Sequence, residues 1–171
     1  MEPRSQALAA VERQTAVLVR HFELLHRRGG IHDDLDRAEY LLLRTLDECG
    51  PMDINGLAAA LGLNPSTVGR QVSASQLSGL VERTPDPEDR RRCIVTPTEH
   101  GRRRMREVRQ MRTESTADLL AGWSDEDLGT LAAMFGKYNR SVAARYLTGP
   151  SPRAEFAEDQ AEYAQVDADR R

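Results

Sequence analysis

The sequence predicts a mostly α fold of the α+β class, a succession of helices interrupted by one charged β-hairpin, and three observations carry that prediction. Aromatic residues make up only 5% of the chain while Ala and Arg are abundant, which favours helices packed through small and aliphatic side chains over a β-sandwich. Apolar residues recur at intervals of three and four near both ends of the chain. Between them, residues 64–101 pass from helix signals to strand, charged turn and strand. At 171 residues, 39% of them hydrophobic and 30% charged, the chain is long enough for one good core and short for two independent ones.

The first helix carries Leu8, Val11, Leu18, Phe22 and Leu25 on a narrow seam, with Thr15 as a lapse. Such a seam is either packed within the chain or shared with a second copy. Gly29 and Gly30 end it. Asp36, with Glu39 three residues later, caps a second helix whose run Tyr40 to Leu43 plus Leu46 is apolar nearly all round, so that helix is expected to be buried. Gly50 and Pro51 close it, and Asp53 caps a third helix with Leu57, Ala58 and Leu61 inward and Gly62 as its stop.

Only Gly62 and Leu63 separate the third helix from Asn64, an expected N-cap, and Pro65, whose missing N–H and fixed φ suit the first helical position. Two helices joined by so tight a turn form a helix-turn-helix. On the second of them Ser66, Thr67, Arg70 and Gln71 share one flank, while Val68 and Val72 point the other way. Gly79 stops this helix, Leu80 to Arg83 resume as a strand, and Pro85, Asp86 and Pro87 break that strand before the turn Glu88, Asp89, Arg90, Arg91, Arg92. Ser75 stands where an apolar residue would continue the Val68, Val72 stripe, so the second half of the helix is expected to pack through Leu77.

Thr98 caps a long basic helix running to about Ala121, with Met105, Val108, Met111, Ser115 and Leu119 as its stripe. Ser124 with Asp127 caps the last helix, where Leu128, Leu131, Phe135, Tyr138, Val142 and Tyr146 repeat the narrow seam. Trp123, just before that cap, reads as a hydrophobic staple. Matching seams at the two ends suggest that the termini interdigitate with those of a second copy. The organisation expected is therefore a helical dimerisation region from residues 1–35 and 122–147, a winged helix-turn-helix lobe over 36–101, a linking helix over 102–121, and an acidic, mobile tail over 148–171.

A net charge of -3 argues by itself against a nucleic-acid partner, but its distribution argues the other way. The tail holds Glu155, Glu158, Asp159, Glu162, Asp167 and Asp169 against Arg153, Arg170 and Arg171. Residues 64–106 hold nine arginines against five carboxylates. Cys49 and Cys93 stand far apart with no CxxC spacing, no apolar leader segment opens the chain, and no run is long enough for a membrane span, so a cytoplasmic protein without a membrane partner is expected.

The order helix, buried helix, helix-turn-helix, charged hairpin, two long helices resembles the MarR family of bacterial transcriptional regulators over roughly residues 5–147. The wing of that family matches Asp86, Asp89, Arg90, Arg91, Thr98 and Gly101, and its recognition-helix pattern matches Ser66, Thr67, Val68, Gly69 and Arg70 followed by Gly79, Leu80, Val81, Glu82 and Arg83. This sequence departs from the pattern at Gly69, at Ser75 and at Pro97, which removes a ladder donor and belongs at a strand end or sheet edge.

A helix of this kind fits the major groove, where Arg70 can take guanine O6 and N7 and Gln71 adenine N6 and N7. Pro65 opens the contact surface, and Ser66, Thr67 and Ser73 suit phosphates or short base contacts, although first-turn capping alone also accounts for Ser66 and Thr67. Asp89 and Arg91, two apart, can share one side of an extended segment, letting the carboxylate orient the guanidinium. The resemblance implies that Arg91 enters the minor groove, with Arg90 and Arg92 on phosphates. The bland reading of the hairpin is a charged, solvated turn.

The resemblance further implies a homodimeric repressor on a double-stranded, pseudo-palindromic DNA operator, and a small phenolic or anionic effector held near His21, Tyr40, Arg44 and the start of the fifth helix. No cofactor is expected. No metal is expected either: His21 and His26 stand five apart, off one helix face, and His32 beside Asp33 and Asp34 reads as a solvated loop histidine. Two other readings stand beside the regulator, a winged-helix protein-interaction module, which has no need of a basic reading face, and a thiol-based redox sensor through Cys93. An enzyme is not expected, since no phosphate loop, metal motif or nucleophile elbow occurs.

Overall fold

The computed structural model describes residues 3–28, 35–87, 89 and 91–148. Its elements are α1 (Pro3–Arg28), α2 (Arg37–Cys49), β1 (Met52–Asp53), α3 (Ile54–Leu61), α4 (Pro65–Leu77), β2 (Val81–Pro85), β3 (Cys93–Pro97), α5 (Glu99–Leu119) and α6 (Asp125–Tyr146). The expected acidic tail from residue 149 onward lies outside the described residues, as do Glu88 and Arg90 of the wing turn.

The helix boundaries follow from local hydrogen bonding. Asp36 accepts from the Glu39 N–H at 2.8 Å while Glu39 accepts from the Asp36 N–H at 3.1 Å, a reciprocal capping box that starts α2. Asp53 accepts from the Gly56 N–H at 2.7 Å to start α3, and Gly62, with φ at 66°, ends it in the left-handed region. Asn64 occupies the N-cap of α4, yet its side chain makes no capping bond; Pro65 at the first helical position sets the entry instead. At the far end the Gly79 N–H donates to the Gln76 carbonyl at 3.0 Å and the Leu80 N–H to the Ser75 carbonyl at 2.8 Å, a Schellman closure that turns the chain directly into β2.

Thr98 accepts from the Gly101 N–H at 3.0 Å to cap α5 and donates to the Gly79 carbonyl at 2.7 Å. The second bond draws the start of α5 onto the end of α4, and a Cβ at position 101 would lie 2.0 Å from the Leu80 carbonyl oxygen. Glycine at 101 is therefore a packing requirement. Ser124 caps α6 by accepting from the Asp127 N–H at 3.2 Å.

The sheet has strand order β1-β3-β2, antiparallel throughout. Sequence reading finds β2 and β3 but not β1, whose two residues are too short to show a period. In the register Val81 faces Pro97 and Pro85 faces Cys93, while β1 pairs only at Val95 and Ile94. Pro97 therefore falls on the last rung, beyond the reach of β1, where a missing N–H interrupts nothing.

One core unites α2, α3, α4, the sheet and the first half of α5, through Leu42, Leu43, Leu57, Val68, Val72, Val81, Val95, Met105 and Val108 among others. The second half of α4 packs differently from expectation: Ser75 is fully buried, whereas Leu77 is 91% exposed. Ser115 and Leu119 of the expected α5 stripe are also exposed, because only the first half of that helix lies over the core. Leu8, Val11, Phe22 and Leu25 on α1, and Phe135, Tyr138, Val142 and Tyr146 on α6, all stand exposed. No helix among the described residues is long and apolar enough to cross a membrane.

Candidate nucleic-acid interface

Burial of Val68, Val72 and Ser75 fixes the rotation of α4 about its axis. The opposite face then presents Ser66, Arg70, Ser73 and Leu77 as an exposed stripe at intervals of four, three and four, with Thr67 and Gln71 half-buried along its edge and Pro65 exposed at its start. Arg70 has no ion-pair partner among the described residues.

The turn between β2 and β3 is closed by its own backbone. The Asp86 N–H donates to the Arg92 carbonyl at 3.0 Å, and the Arg92 N–H to the Asp89 carbonyl at 2.8 Å. Asp89 accepts from the backbone N–H of Arg91 at 3.0 Å, an Asx-turn contact. The carboxylate thus fixes the Arg91 main chain and not its guanidinium, because Arg91 lies in a turn where the spacing argument assumed an extended segment. Arg91 itself is exposed.

Two further arginines tie this turn and its strands to the helices. Arg92 donates from Nε at 2.9 Å and from Nη2 at 2.5 Å to one carboxylate oxygen of Asp53, whose other oxygen caps α3. Hydrogen bonding from the Gly56 N–H and then from Arg92 holds the Asp53 carboxyl below its ordinary range, and Asp53 in turn raises the Arg92 pKa. Arg83 on β2 donates from Nη2 to Ser73 Oγ at 2.9 Å and to the Gly69 carbonyl at 3.3 Å. Ser73 Oγ also donates to that carbonyl at 2.8 Å. Of the residues expected to face a ligand, Pro65, Ser66, Arg70, Ser73, Arg91 and Arg92 all stand exposed, Ser73 and Arg92 with part of their bonding capacity taken by Arg83 and Asp53.

A second feature lies on the other side of α2. Tyr40, Arg44, Arg109, Arg112, Thr116 and Trp123 are among the residues lining a cavity of about 690 Å³ between α2, α5 and the start of α6. The Arg112 guanidinium lies 4.0 Å from the Tyr40 ring centroid. Burial, reinforced by Arg37 and Arg44, lowers the Arg112 pKa. Burial also works against the Arg44 charge, but the hydrogen bond and ion pair with Glu48 outweigh it and raise that pKa. Tyr40 and Arg44 both line this cavity, whereas His21 is exposed on α1 and lines no part of it. Arg109 and Arg112 were not singled out from sequence; their three-residue spacing on α5, toward the side where α2 must pack, was the available signal.

Among the described residues no group of three His, Cys, Asp or Glu side chains is placed to hold a metal ion. His32, Asp33 and Asp34, like the His26 side chain, lie outside the described residues. Cys93 is an exposed free thiol at the start of β3, and Cys49 is half-buried at the end of α2.

Comparison with known proteins agrees with this architecture. The MarR family model matches residues 35–93, from the start of the core to the first residue of β3. The uncharacterised HTH-type transcriptional regulator YxaD of Bacillus subtilis is 30% identical over 131 residues, covering 77% of this chain and 92% of that protein. A MarR family protein from Bacillus stearothermophilus superposes with a TM-score of 0.64 at 23% identity, over 84% of this chain and 99% of the other. The PcaV transcriptional regulator from Streptomyces coelicolor, solved with its natural ligand, superposes with a TM-score of 0.58 at 24% identity, over 74% of this chain and 89% of the other. A helix-turn-helix bonded to a winged sheet, matched in sequence across the core and in shape across most of the chain, makes this protein a DNA-binding transcriptional regulator that belongs to the MarR family.

Proposed function

We propose that this regulator acts as a homodimeric repressor on a pseudo-palindromic operator, reading the major groove with α4 and the minor groove with the wing, and that a small phenolic or anionic effector modulates it. The observation that carries the reading is the pairing of one exposed helix stripe with one exposed wing turn, each presenting an arginine, Arg70 and Arg91. Arg70 and Gln71 are assigned to base edges, Pro65, Ser66 and Thr67 to the first contacts of the helix with the backbone. Arg91 is assigned to the minor groove, with Arg90 and the uncommitted edge of Arg92 on phosphates. Ser73 and Asp89 serve this surface by position: Ser73 shares Arg83 with the wing, and Asp89 shapes the turn that carries Arg91.

The exposed seams of α1 and α6 support the dimer, since eight large apolar residues including Leu8, Phe22, Phe135 and Tyr138 are otherwise left in water. A two-fold pair of α4 helices would meet half-sites about 34 Å apart. The cavity between α2 and α5, lined by an aromatic ring and three arginines, supports the effector; PcaV, of the same fold, was solved with its natural ligand. Arginines suit a carboxylate or phenolate, and Tyr40 and Trp123 suit an aromatic ring.

The test is selection of bound fragments from genomic DNA, followed by titration of the recovered duplex at several salt concentrations and sedimentation of the free protein. Enrichment of a sequence with two-fold symmetry, binding that weakens steeply with salt, and a dimer in solution are expected. Absence of any enriched fragment would overturn the reading.

A further inference from the structure

The end of α6 does not point away from the DNA-binding lobe. Leu147 lies over the turn of the helix-turn-helix, where a Cβ at Gly62 would come 2.8 Å from Leu147 Cδ2. Tyr146 and Thr148 line, together with Leu63 and Pro65, a shallow groove of about 350 Å³ at the N-terminal end of α4. The chain therefore passes out of the described residues beside the first turn of the reading helix. The segment beyond Thr148 is acidic: six carboxylates, all between Glu155 and Asp169, stand against Arg153, Arg170 and Arg171, a net charge of -3.

The face within reach presents exposed arginines, alongside the exposed carboxylates Glu82 and Asp89 of the wing. Arg70 and Arg91 are exposed, and neither guanidinium has an ion-pair partner among the described residues. A carboxylate offers arginine the same planar pair of acceptor oxygens as a phosphate does. The partial positive charge at the start of α4 favours the same ligand. Residues 149–171 can span on the order of 70 Å when extended, several times the roughly 20 Å length of α4.

We propose that the acidic segment after Thr148 docks on the reading face of α4 and the wing and competes there with DNA, an autoinhibitory contact in which carboxylates occupy the places of phosphates. This inference rests on the DNA-reading role proposed above for the same surface. Because the segment is tethered, its effective concentration is in the millimolar range, so even a weak contact occupies the face for much of the time. The contact precedes any reading of bases, so it lowers affinity for operator and unrelated duplex by the same factor. It also makes the salt dependence of DNA binding shallower, since DNA displaces carboxylates as well as counterions.

The test compares the full chain, a chain ending at Thr148, and a full-length variant in which Glu155, Glu158, Glu162 become Gln and Asp159, Asp167, Asp169 become Asn. Two readouts are taken: duplex affinity across salt, and amide chemical shifts of Ser66, Arg70 and Arg91 without DNA. Truncation and amidation are expected to tighten both duplexes about 3–10-fold at low salt, steepen the salt dependence and move the same amide signals. Unchanged signals would overturn the docking, including the case where affinity rises, which would then reflect net charge alone. Signals that move on truncation but not on amidation would overturn it as well. If signals move in both variants while no DNA binds, the docking holds and the DNA-reading role fails, which separates the two claims.

Discussion

Arg92 and Asp53 join the wing to the helix-turn-helix: the guanidinium donates twice to one carboxylate oxygen, at 2.9 and 2.5 Å, while the other oxygen caps α3. On the opposite side of the wing Arg83 holds Ser73 at 2.9 Å. Arg83 on β2 thus ties the wing to α4, and Arg92, just before β3, ties it to the cap of α3.

The Asp53 contact makes stability depend on acid. Its folded pKa is depressed below the ordinary aspartate value of 3.8. The contribution is therefore complete above pH 3.8 and is lost as pH falls from there through the lower folded value. Asp53→Asn keeps an N-cap but removes the charge. Thermal melts between pH 2 and 7 are expected to show a smaller loss below pH ~4 in this variant than in the parent, and a lower midpoint at neutral pH.

The reading helix contains two local faults whose repair should stabilise it. Ser75 Oγ is buried without a hydrogen-bond partner among the described residues, so Ser75→Ala removes an unsatisfied hydroxyl and is expected to add about 1 kcal/mol. At Gly69 a new Cβ would lie 3.9 Å from Ile54 Cδ1, ordinary contact, so Gly69→Ala is expected to add about 0.5–1 kcal/mol through helix propensity. Urea titrations of the two single variants and the double variant check both values.

Much of this architecture is legible in the sequence because its signals are local. Asp36 with Glu39, Asp53, Thr98 and Ser124 each act as caps within three residues of their partners, and Gly62 and Gly79 stop helices through their own backbone conformations. What escapes is long-range. Arg92 meets Asp53 across 39 positions and Arg83 meets Ser73 across 10, pairings that no period or spacing encodes. Ser75 misled because its position is buried by the Schellman closure that brings β2 back beneath α4, while Leu77, though apolar, falls on the exposed stripe. Asp89 and Arg91 misled for a related reason: spacing arguments presuppose a regular backbone, and a turn has none.

Trp123, the one tryptophan of the chain, lines the cavity with Tyr40 and Arg112 and so reports on its contents. Salicylate is expected to change its fluorescence saturably. Arg112→Ala is expected to weaken that binding about tenfold, the scale of one charge-assisted hydrogen bond, without altering secondary structure by circular dichroism. A response that is linear in ligand and the same in both proteins would count against a site there.

The most direct test of the two-part reading surface is a titration of the recovered operator duplex by fluorescence anisotropy at one fixed salt concentration, with the parent protein, Arg70→Ala and Arg91→Ala. Each lost base contact corresponds to about 1–3 kcal/mol, so Arg70→Ala is expected to weaken operator binding tenfold or more while leaving unrelated duplex little changed. Arg91→Ala is expected to weaken operator binding as well, with an unaltered melting midpoint. Parent-like affinity in both variants would contradict the account.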